Sequence, residues 1–544
     1  MTEKALDIME CFPLESPRKS QEIVIREIQK AFESGSKIVI LEAPVGSGKS
    51  AIAATIAKFF GKNGAHIVTP RKSLQDQYFE DFDDHLVLMK GRNAYPCTYE
   101  SNPTSYKKTI TLIQQGRIDQ PRKGEPNCSD SPCRDDKDTY NYCVNDRPCP
   151  YTVAMGIAQA HPMVVHNLHS FIFQSSFGKS FEKRDVLVVD EAHEIESTIR
   201  SFVTKKVYLP RVFPEDHFSS LKTWKDWETF LLSDEFVPKE TVRDELLRQQ
   251  DKHYKSFKDK YLMQILAVNM NGQLDKGFSV EVVKEIRPGT QIPHGTTFEF
   301  VPHNVGGAVN AMLVAFGEKV LLMSGTIYSK ELYCKNIGID PDSAYFVRIG
   351  SSFPKENRPI YALEKYQIDT SHAKWNENFA EMIEIIQNIC KVFHDQKGLI
   401  HVPSYVASEQ IKNALNDPRF VNHSSMDFQE KLQGFFNEKT PKVFLSPVCQ
   451  QGVDFKEDRA RFQIVLRVPY PNTSSNFVSN KVKNDFQWYN YQTLIVFGQQ
   501  IGRVNRSASD YGVTILLDER FNKFLSKNNK VLPGWVKEAI VRKS

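Results

Sequence analysis

Three widely separated segments carry residue types that handle phosphate. The first is APVGSGKS, Ala43 to Ser50. In such a loop Val45, Gly46, Ser47 and Gly48 turn their backbone N–H groups toward phosphate oxygens while Ala43 and Pro44 shape its entry, Lys49 reaches the outer phosphates, and Ser50 offers a hydroxyl to Mg²⁺. Ala43 stands where the strict pattern has glycine, but the context is right: strand-like IVIL (38–41) precedes the loop and helix-forming SAIAATIAKFF (50–60) follows it. The second segment is Asp190-Glu191-Ala192-His193, directly after the apolar run VLVV (186–189). Asp190 can hold Mg²⁺ through water, and Glu191 can orient and deprotonate an attacking water. The third is GQQIGRVNR, Gly498 to Arg506, with Gln499, Arg503 and Arg506. Two arginines three residues apart are expected on one face of a helix, and a planar, permanently charged guanidinium suits the charge that develops in phosphoryl transfer. Together the three segments read as an ATP-hydrolysing site. Because the arginines lie far from Lys49 in the chain, the site is expected between two domains whose cleft nucleotide closes and hydrolysis opens.

The cysteines point to a second chemistry. Five of nine, Cys97, Cys128, Cys133, Cys143 and Cys149, fall within 53 residues. The opening MTEKALDIMECFPLES has early acids and no continuous apolar segment with a small-residue cleavage site, so a cytoplasmic protein is expected, nucleoid-associated if the host is prokaryotic. In a reducing compartment such a group holds metal more readily than disulfides. The separations, 31, 5, 10 and 6, contain no C-x₂-C pair of the structural-zinc kind, which tilts the reading toward iron and sulfide. The same stretch has eight basic and eight acidic residues, so it is not a basic patch. Cys11, Cys334, Cys390 and Cys449 read as small buried hydrophobes. His161, His166 and His169 lack a Cys or acid at ligand spacing and read as a His-rich strand and turn, while Trp488, Tyr489 and Tyr491 read as core rather than base-stacking residues.

The elements that must position these groups follow from the apolar runs. A chain of 544 residues at roughly 150 per domain allows three to four domains. Hydrophobic residues at 40% and charged residues at 25% are ordinary for a globular chain, and no run approaches the roughly 18–20 apolar residues of a membrane span, so no membrane insertion is expected. The net charge of +4 neither demands nor excludes nucleic acid, since a binding face can be local. Strand-like runs ending at Ala43, Asp190 and Ser324 predict a parallel α/β sheet with its site at the carboxyl ends. GLIHVPS (398–404), KVFLSP (442–447), RFQIVLRVP (461–469) and GVTILLDER (512–520) predict a second α/β domain. Residues 201–310 break the pattern with charged, aromatic stretches that read as long amphipathic helices of an inserted domain.

In this order, the phosphate loop at 43–50, IVTPRKSLQDQ (67–77), a cysteine cluster, DEAH (190–193), MSGT (323–326), GLIHVPSY (398–405), QQGVDF (450–455) and QQIGRVNR (499–506) resemble the superfamily-two helicases of the XPD/DinG type over nearly the whole chain. The resemblance implies an α/β fold of two RecA-like parallel-sheet motor domains with an iron-sulfur insertion and a helical arch-like insertion in the first. The expected limits are 1–200 for motor domain 1 with the iron-sulfur insertion at 91–155, 201–310 for the arch, 311–330 for the return to motor domain 1, and 331–544 for motor domain 2. It further implies that Gln21 contacts adenine, that Ser324 and Thr326 couple the motors, and that Gly452 and Asp454 lie near the nucleotide and the strand. SGT replaces the SAT of many relatives. A [4Fe-4S] cluster with four thiolates is implied. Cys97 and Cys149 take the outer places and Cys143 a third. Cys128 and Cys133 compete for the fourth, with Cys133 preferred. The implied activity is that of a monomeric ATP-dependent DNA helicase moving 5′ to 3′ on single-stranded DNA and opening forked duplexes, in repair or replication. Contacts mainly to the backbone would make binding sequence-independent and salt-sensitive. One rival is an ATP-driven translocase or remodeller that separates no duplex. Another is a non-catalytic nucleic-acid-binding scaffold, against which Glu191, Arg503 and Arg506 are all present. An appended nuclease is disfavoured because the motor begins close to the first residue.

Overall fold

Short aliphatic runs build two parallel sheets, and each is buried on both faces. The computed structural model describes residues 6–82, 85–99, 103–118, 120–121, 124–131, 147–210, 277–286, 293–449, 453–505, 507 and 509–542. Cys133, Cys143, Gly452, Arg506 and the amphipathic stretches within 211–276 lie outside these. Seven strands form the first sheet: β1 (Ile38–Glu42), β2 (Ala65–Thr69), β3 (Val87–Met89), β4 (Met163–Asn167), β5 (Arg184–Val189), β9 (Gly317–Ser324) and β10 (Ala344–Arg348), in the order β10-β1-β9-β5-β2-β4-β3. Between them in the chain come β6 (Lys205–Pro210), β7 (Phe278–Ile286) and β8 (Pro293–Pro302). All neighbouring pairs of the first sheet run parallel. Every residue of β1 and β2 is buried, as a sheet flanked by helices on both faces requires. Since β1, β9 and β5 are adjacent, their carboxyl ends set the 43–48 loop, Ser324 and Asp190 side by side.

The second sheet comprises β11 (Ile360–Tyr361), β12 (Gly398–His401), β13 (Phe420–Val421), β14 (Val443–Ser446), β15 (Phe462–Val465), β16 (Val513–Leu516) and β17 (Ile540–Val541), in the order β13-β14-β12-β15-β16-β11-β17. The paired α/β architecture read from the sequence is present. The helix Phe486–Ile501 joins the two units: its Tyr491, Leu494 and Phe497 share one apolar core with Val320, Leu322, Ile327 and Tyr328 of the first. No helix among the described residues is long and apolar enough to cross a membrane.

One expectation needs correcting. β10 pairs with β1 along its full length, so the first unit runs through Arg348 rather than ending at residue 330. The buried Glu42 anchors this extension by accepting from Arg348 and from the Tyr328 N–H. The described ends of the insertion are strands, and the stretches expected to be helical lie outside the described residues. β6, β8 and β7 form an antiparallel sheet in that order. The alternation in FSVEVVKEI and TTFEFVP is that of strands with unlike faces.

Candidate functional site

The phosphate loop is shaped by two left-handed glycines. Gly46 and Gly48 both have φ +76°, a conformation that side-chain-bearing residues rarely adopt. Each is also crowded: a Cβ on Gly46 would lie 2.0 Å from Phe353 Cζ, and one on Gly48 would lie 2.1 Å from Gln21 Nε2. Gln21 is buried, donating to Ser47 O at 3.3 Å while its Oε1 accepts from the Arg18 N–H at 2.8 Å, and Arg18 donates to Gly46 O at 2.6 Å. Lys49 leads the helix Lys49–Phe60 and donates to Ala43 O at 3.3 Å, so its ammonium lies along the loop. The Ser47 hydroxyl bonds Pro44 O at 2.7 Å, and Ser50 lines the open side. A cleft of about 730 Å³ runs beside this loop, with Gln21, Lys49, Ser50, Asp190, Glu191 and Asp454 on its walls. An adjoining space of about 320 Å³ reaches Gln499 and Arg503. These volumes suit a ligand of nucleotide size.

Two adjacent carboxylates are driven apart in acidity. Asp190 is fully enclosed, and burial followed by the neighbouring Glu191 charge pushes it up to about 6. Its Oδ1 accepts from the Glu191 N–H at 2.8 Å and its Oδ2 from the Tyr78 hydroxyl at 3.2 Å. Burial would raise Glu191 too, but the neighbouring His193 and the charges of Lys49 and Arg503 outweigh it and hold Glu191 well below the usual carboxylate range. Glu191 has φ +51°, a strained turn that aims its carboxylate away from Asp190 and toward His193 Nδ1, 3.3 Å away. From there contacts run unbroken into the second unit. His193 Nδ1 lies 2.8 Å from Ser324 Oγ, which is 3.4 Å from Thr326 Oγ1. Thr326 accepts from Gln499 Nε2 at 2.9 Å, and Gln499 Oε1 accepts from Arg503 at 2.9 Å. Arg503 also donates to Val453 O at 2.8 Å. The helix carrying Gln499 stops at Ile501 and Gly502 caps it, so Arg503 sits in the following turn instead of on a helix face.

Comparison with known proteins places these features in a lineage. Residues 386–539 match the family described as Helicase C-terminal domain, and residues 14–213 match that described as Type III restriction enzyme, res subunit. The fold superposes on a solved XPD helicase with a TM-score of 0.59, covering 97% of this chain and 100% of that one at 15% identity. The chain thus shares its fold with that XPD helicase. A probable ATP-dependent helicase of Methanocaldococcus jannaschii is 20% identical, with 96% of this chain and 94% of that one aligned. The Fanconi anemia group J protein homolog of Gallus gallus is 28% identical over 162 residues, so the match spans 26% of this chain and only 13% of that relative.

The described cysteines come partly together. The antiparallel bridge between Pro96 and Asn127 runs Cys97 alongside Cys128: the Cys97 N–H donates to Pro126 O at 3.0 Å and the Cys128 N–H to Tyr95 O at 2.9 Å. Cys128 Sγ lies 3.4 Å from Cys149 Sγ. Cys149 caps the helix Pro150–Ala160, and its contact with Cys128 together with the first amides of that helix lowers its thiol to about 6, burial notwithstanding, while Cys128 is pushed up. Among the described residues no three His, Cys, Asp or Glu side chains converge as a metal-binding group. Cys128, not preferred from the sequence, is the thiol brought to Cys149. Cys11, Cys334, Cys390 and Cys449 are buried, as expected. His166 lies in β4 and pairs with His66 at 3.1 Å, both buried neutral rings rather than ligands. Trp488 and Tyr491 are core residues, and Tyr489 stacks on Tyr470. Tyr78 and Phe353 were not anticipated. Both reach the site from sequence-distant elements that no local motif marks.

Proposed function

We propose that the protein is an ATP-dependent DNA helicase that moves 5′ to 3′ along single-stranded DNA and opens forked duplexes. The observation that carries this reading is the continuous polar chain from Glu191 through His193, Ser324, Thr326 and Gln499 to Arg503, since it joins the hydrolytic acid of one unit to the arginine of the other. ATP would lie in the cleft with Gln21 toward adenine and the loop amides and Lys49 on the phosphates. Ser50 and Asp190 would hold Mg²⁺, which would neutralise charge on the phosphates. Glu191, kept ionised by its neighbours, accepts a proton of the attacking water. Arg503, now bonded to Gln499 and Val453 O, would exchange those partners for phosphate oxygens, with Asp454 on the wall of the same cleft and with Arg506 and Gly452 as further expected contributors. Reorganising that arginine moves the second unit against the first, and this is the step that advances the strand.

An iron-sulfur insertion at 91–155 would draw on the soft thiols of Cys97, Cys128 and Cys149, with Cys143 or Cys133 as the remaining ligand. The 3.4 Å Cys128–Cys149 approach favours Cys128 in this set. Bound there, a [4Fe-4S] cluster would supply a rigid covalent cross-brace between chain segments far apart in sequence. Lys49→Ala is expected to abolish ATP hydrolysis and strand displacement while single-strand binding survives, read on forked DNAs with 5′ and 3′ tails. Unwinding by the variant, or by the parent chain only on the 3′-tailed fork, would sink the reading.

A further inference from the structure

A buried carboxylate that the hydrolytic mechanism does not use ties the two units together. Glu196 lies three residues past His193, in the first turn of the helix Ile195–Val203. Its Oε1 accepts from Trp488 Nε1 at 2.7 Å and its Oε2 from Gln492 Nε2 at 2.8 Å. Arg200, one turn on, completes the set as an ion-pair partner of Oε1. Glu196, Arg200 and Trp488 are each less than a tenth exposed. A carboxylate so enclosed persists only with its partners in place, and removing one leaves an uncompensated buried charge. Trp488 and Gln492 are one helical turn apart, so both point from the same face of Phe486–Ile501 into Glu196.

That helix ends at the hydrolytic site. Gln499, seven residues or roughly 10 Å beyond Gln492, donates to Thr326, and Arg503 follows just after the last turn. Tyr491 adds a third tie, its hydroxyl donating to Ile327 O at 2.8 Å. A single rigid rod is therefore pinned to the first unit at its start by Glu196 and near its end by Thr326. Glu196 belongs to the same short stretch as Asp190, Glu191 and His193. Any displacement of that stretch when Mg²⁺ and nucleotide engage Asp190 reaches the far end of the rod directly.

We infer that Glu196 is a positioning residue for Gln499 and Arg503: it fixes the seating of the Phe486–Ile501 rod on the first unit and thereby the approach of the arginine to the phosphates. The inference rests on the proposed ATP-driven motor and adds to it the pivot about which the arginine is carried. The Arg200 guanidinium, 4.5 Å from the Phe477 ring centroid and bonded to Pro302 O, brings the stem of the insertion to the same point.

The test is a reciprocal swap. Gln492→Glu sets two buried carboxylates face to face and pushes the rod off its seat, whereas Glu196→Gln with Gln492→Glu restores one carboxylate opposite one amide. Gln492→Glu is expected to lower kcat of strand-stimulated ATP hydrolysis about tenfold with KM for ATP changed less than about twofold, and the double variant to recover most of the loss. Energy transfer between fluorophores at the exposed Lys62 and Gln433 should report a wider separation in Gln492→Glu and the parent value in the double variant. The inference fails if the double variant is as slow as Gln492→Glu or slower, or if Gln492→Glu hydrolyses ATP at the parent rate. It also fails if KM rises while kcat holds. Should Gln492→Glu not fold, recovery of parent-like kcat by the double variant relative to Glu196→Gln alone supports the pairing, and no recovery overturns it. A parent chain that hydrolyses no ATP overturns the functional reading, and this inference with it.

Discussion

Asp190 and Glu191 differ by one methylene, yet their surroundings give them opposite acidities and therefore different work. A metal-holding carboxylate must be ionised, and Asp190, raised to about 6, takes up a proton as pH falls through that value unless Mg²⁺ is present to displace it. The Tyr78 hydroxyl opposes that rise by donating to Oδ2. Tyr78→Phe removes a hydrogen bond to an ionised group, worth about 1–2 kcal/mol, or roughly five- to thirtyfold in affinity. The expected outcome is a Mg²⁺ requirement raised by that factor, with the penalty larger at pH 6 than at pH 8 because Asp190 titrates higher in the variant. Magnesium titrations of ATP hydrolysis at both pH values check it, and an equal penalty at the two would refute the cause given. Residues of this kind mark the limit of legibility. Lys49, Ser50, Asp190, Glu191, Gln499 and Arg503 could be singled out because each sits in a run that is itself diagnostic. Tyr78 and Glu196 were not, since their partners lie 112 and 292 residues away.

At the scale of elements, strand-loop-helix order was legible because two-sided burial writes a continuous apolar run, as in β1 and β5. The strands at the ends of the insertion were not singled out, because the long charged windows between them dominate its composition. The turn at Arg503 was missed for a local reason: Gly502 interrupts a pattern that otherwise looks helical through Arg506. The insertion's β7 has a role in the motor that its sequence does not announce. Glu281 accepts from the Ser475 hydroxyl at 2.7 Å and the Phe477 N–H at 2.6 Å, capping the helix Asn476–Asn484 of the second unit, and Asn480 donates to Ser279 at 2.8 Å. Glu281→Ala is expected to leave strand-stimulated ATP hydrolysis within about twofold while strand displacement falls by about fivefold or more, since one cap is worth about 1 kcal/mol. Parallel ATPase and displacement assays decide it, and a proportional loss of both would reject a transmitting role.

For the molecule as a whole, two RecA-like units and their cleft were legible from motif order, but the seam between them was not. The resemblance divided the chain at residue 330, whereas hydrogen bonding carries the first sheet to Arg348. The cysteine insertion poses the largest open chemical question. Cys128→Ser is expected to cost the iron and sulfide content and the visible absorbance of anaerobically purified protein and to abolish duplex opening, while much of the strand-stimulated ATPase remains. Full iron in that variant, or zinc in place of iron in the parent, would reject the assignment.

The position of β1 sets the order in which the molecule can be made. Its two neighbours are β9 and β10, so the strand that launches the phosphate loop finds its first sheet partner only after residue 317 and its second only after residue 344. On the ribosome, at about 5–20 residues per second, IVILE waits tens of seconds as an apolar strand with both edges bare. Birth of the nucleotide site is thus deferred until both insertions have been synthesised, and the nascent chain is most vulnerable to aggregation at the very segment on which its catalysis depends.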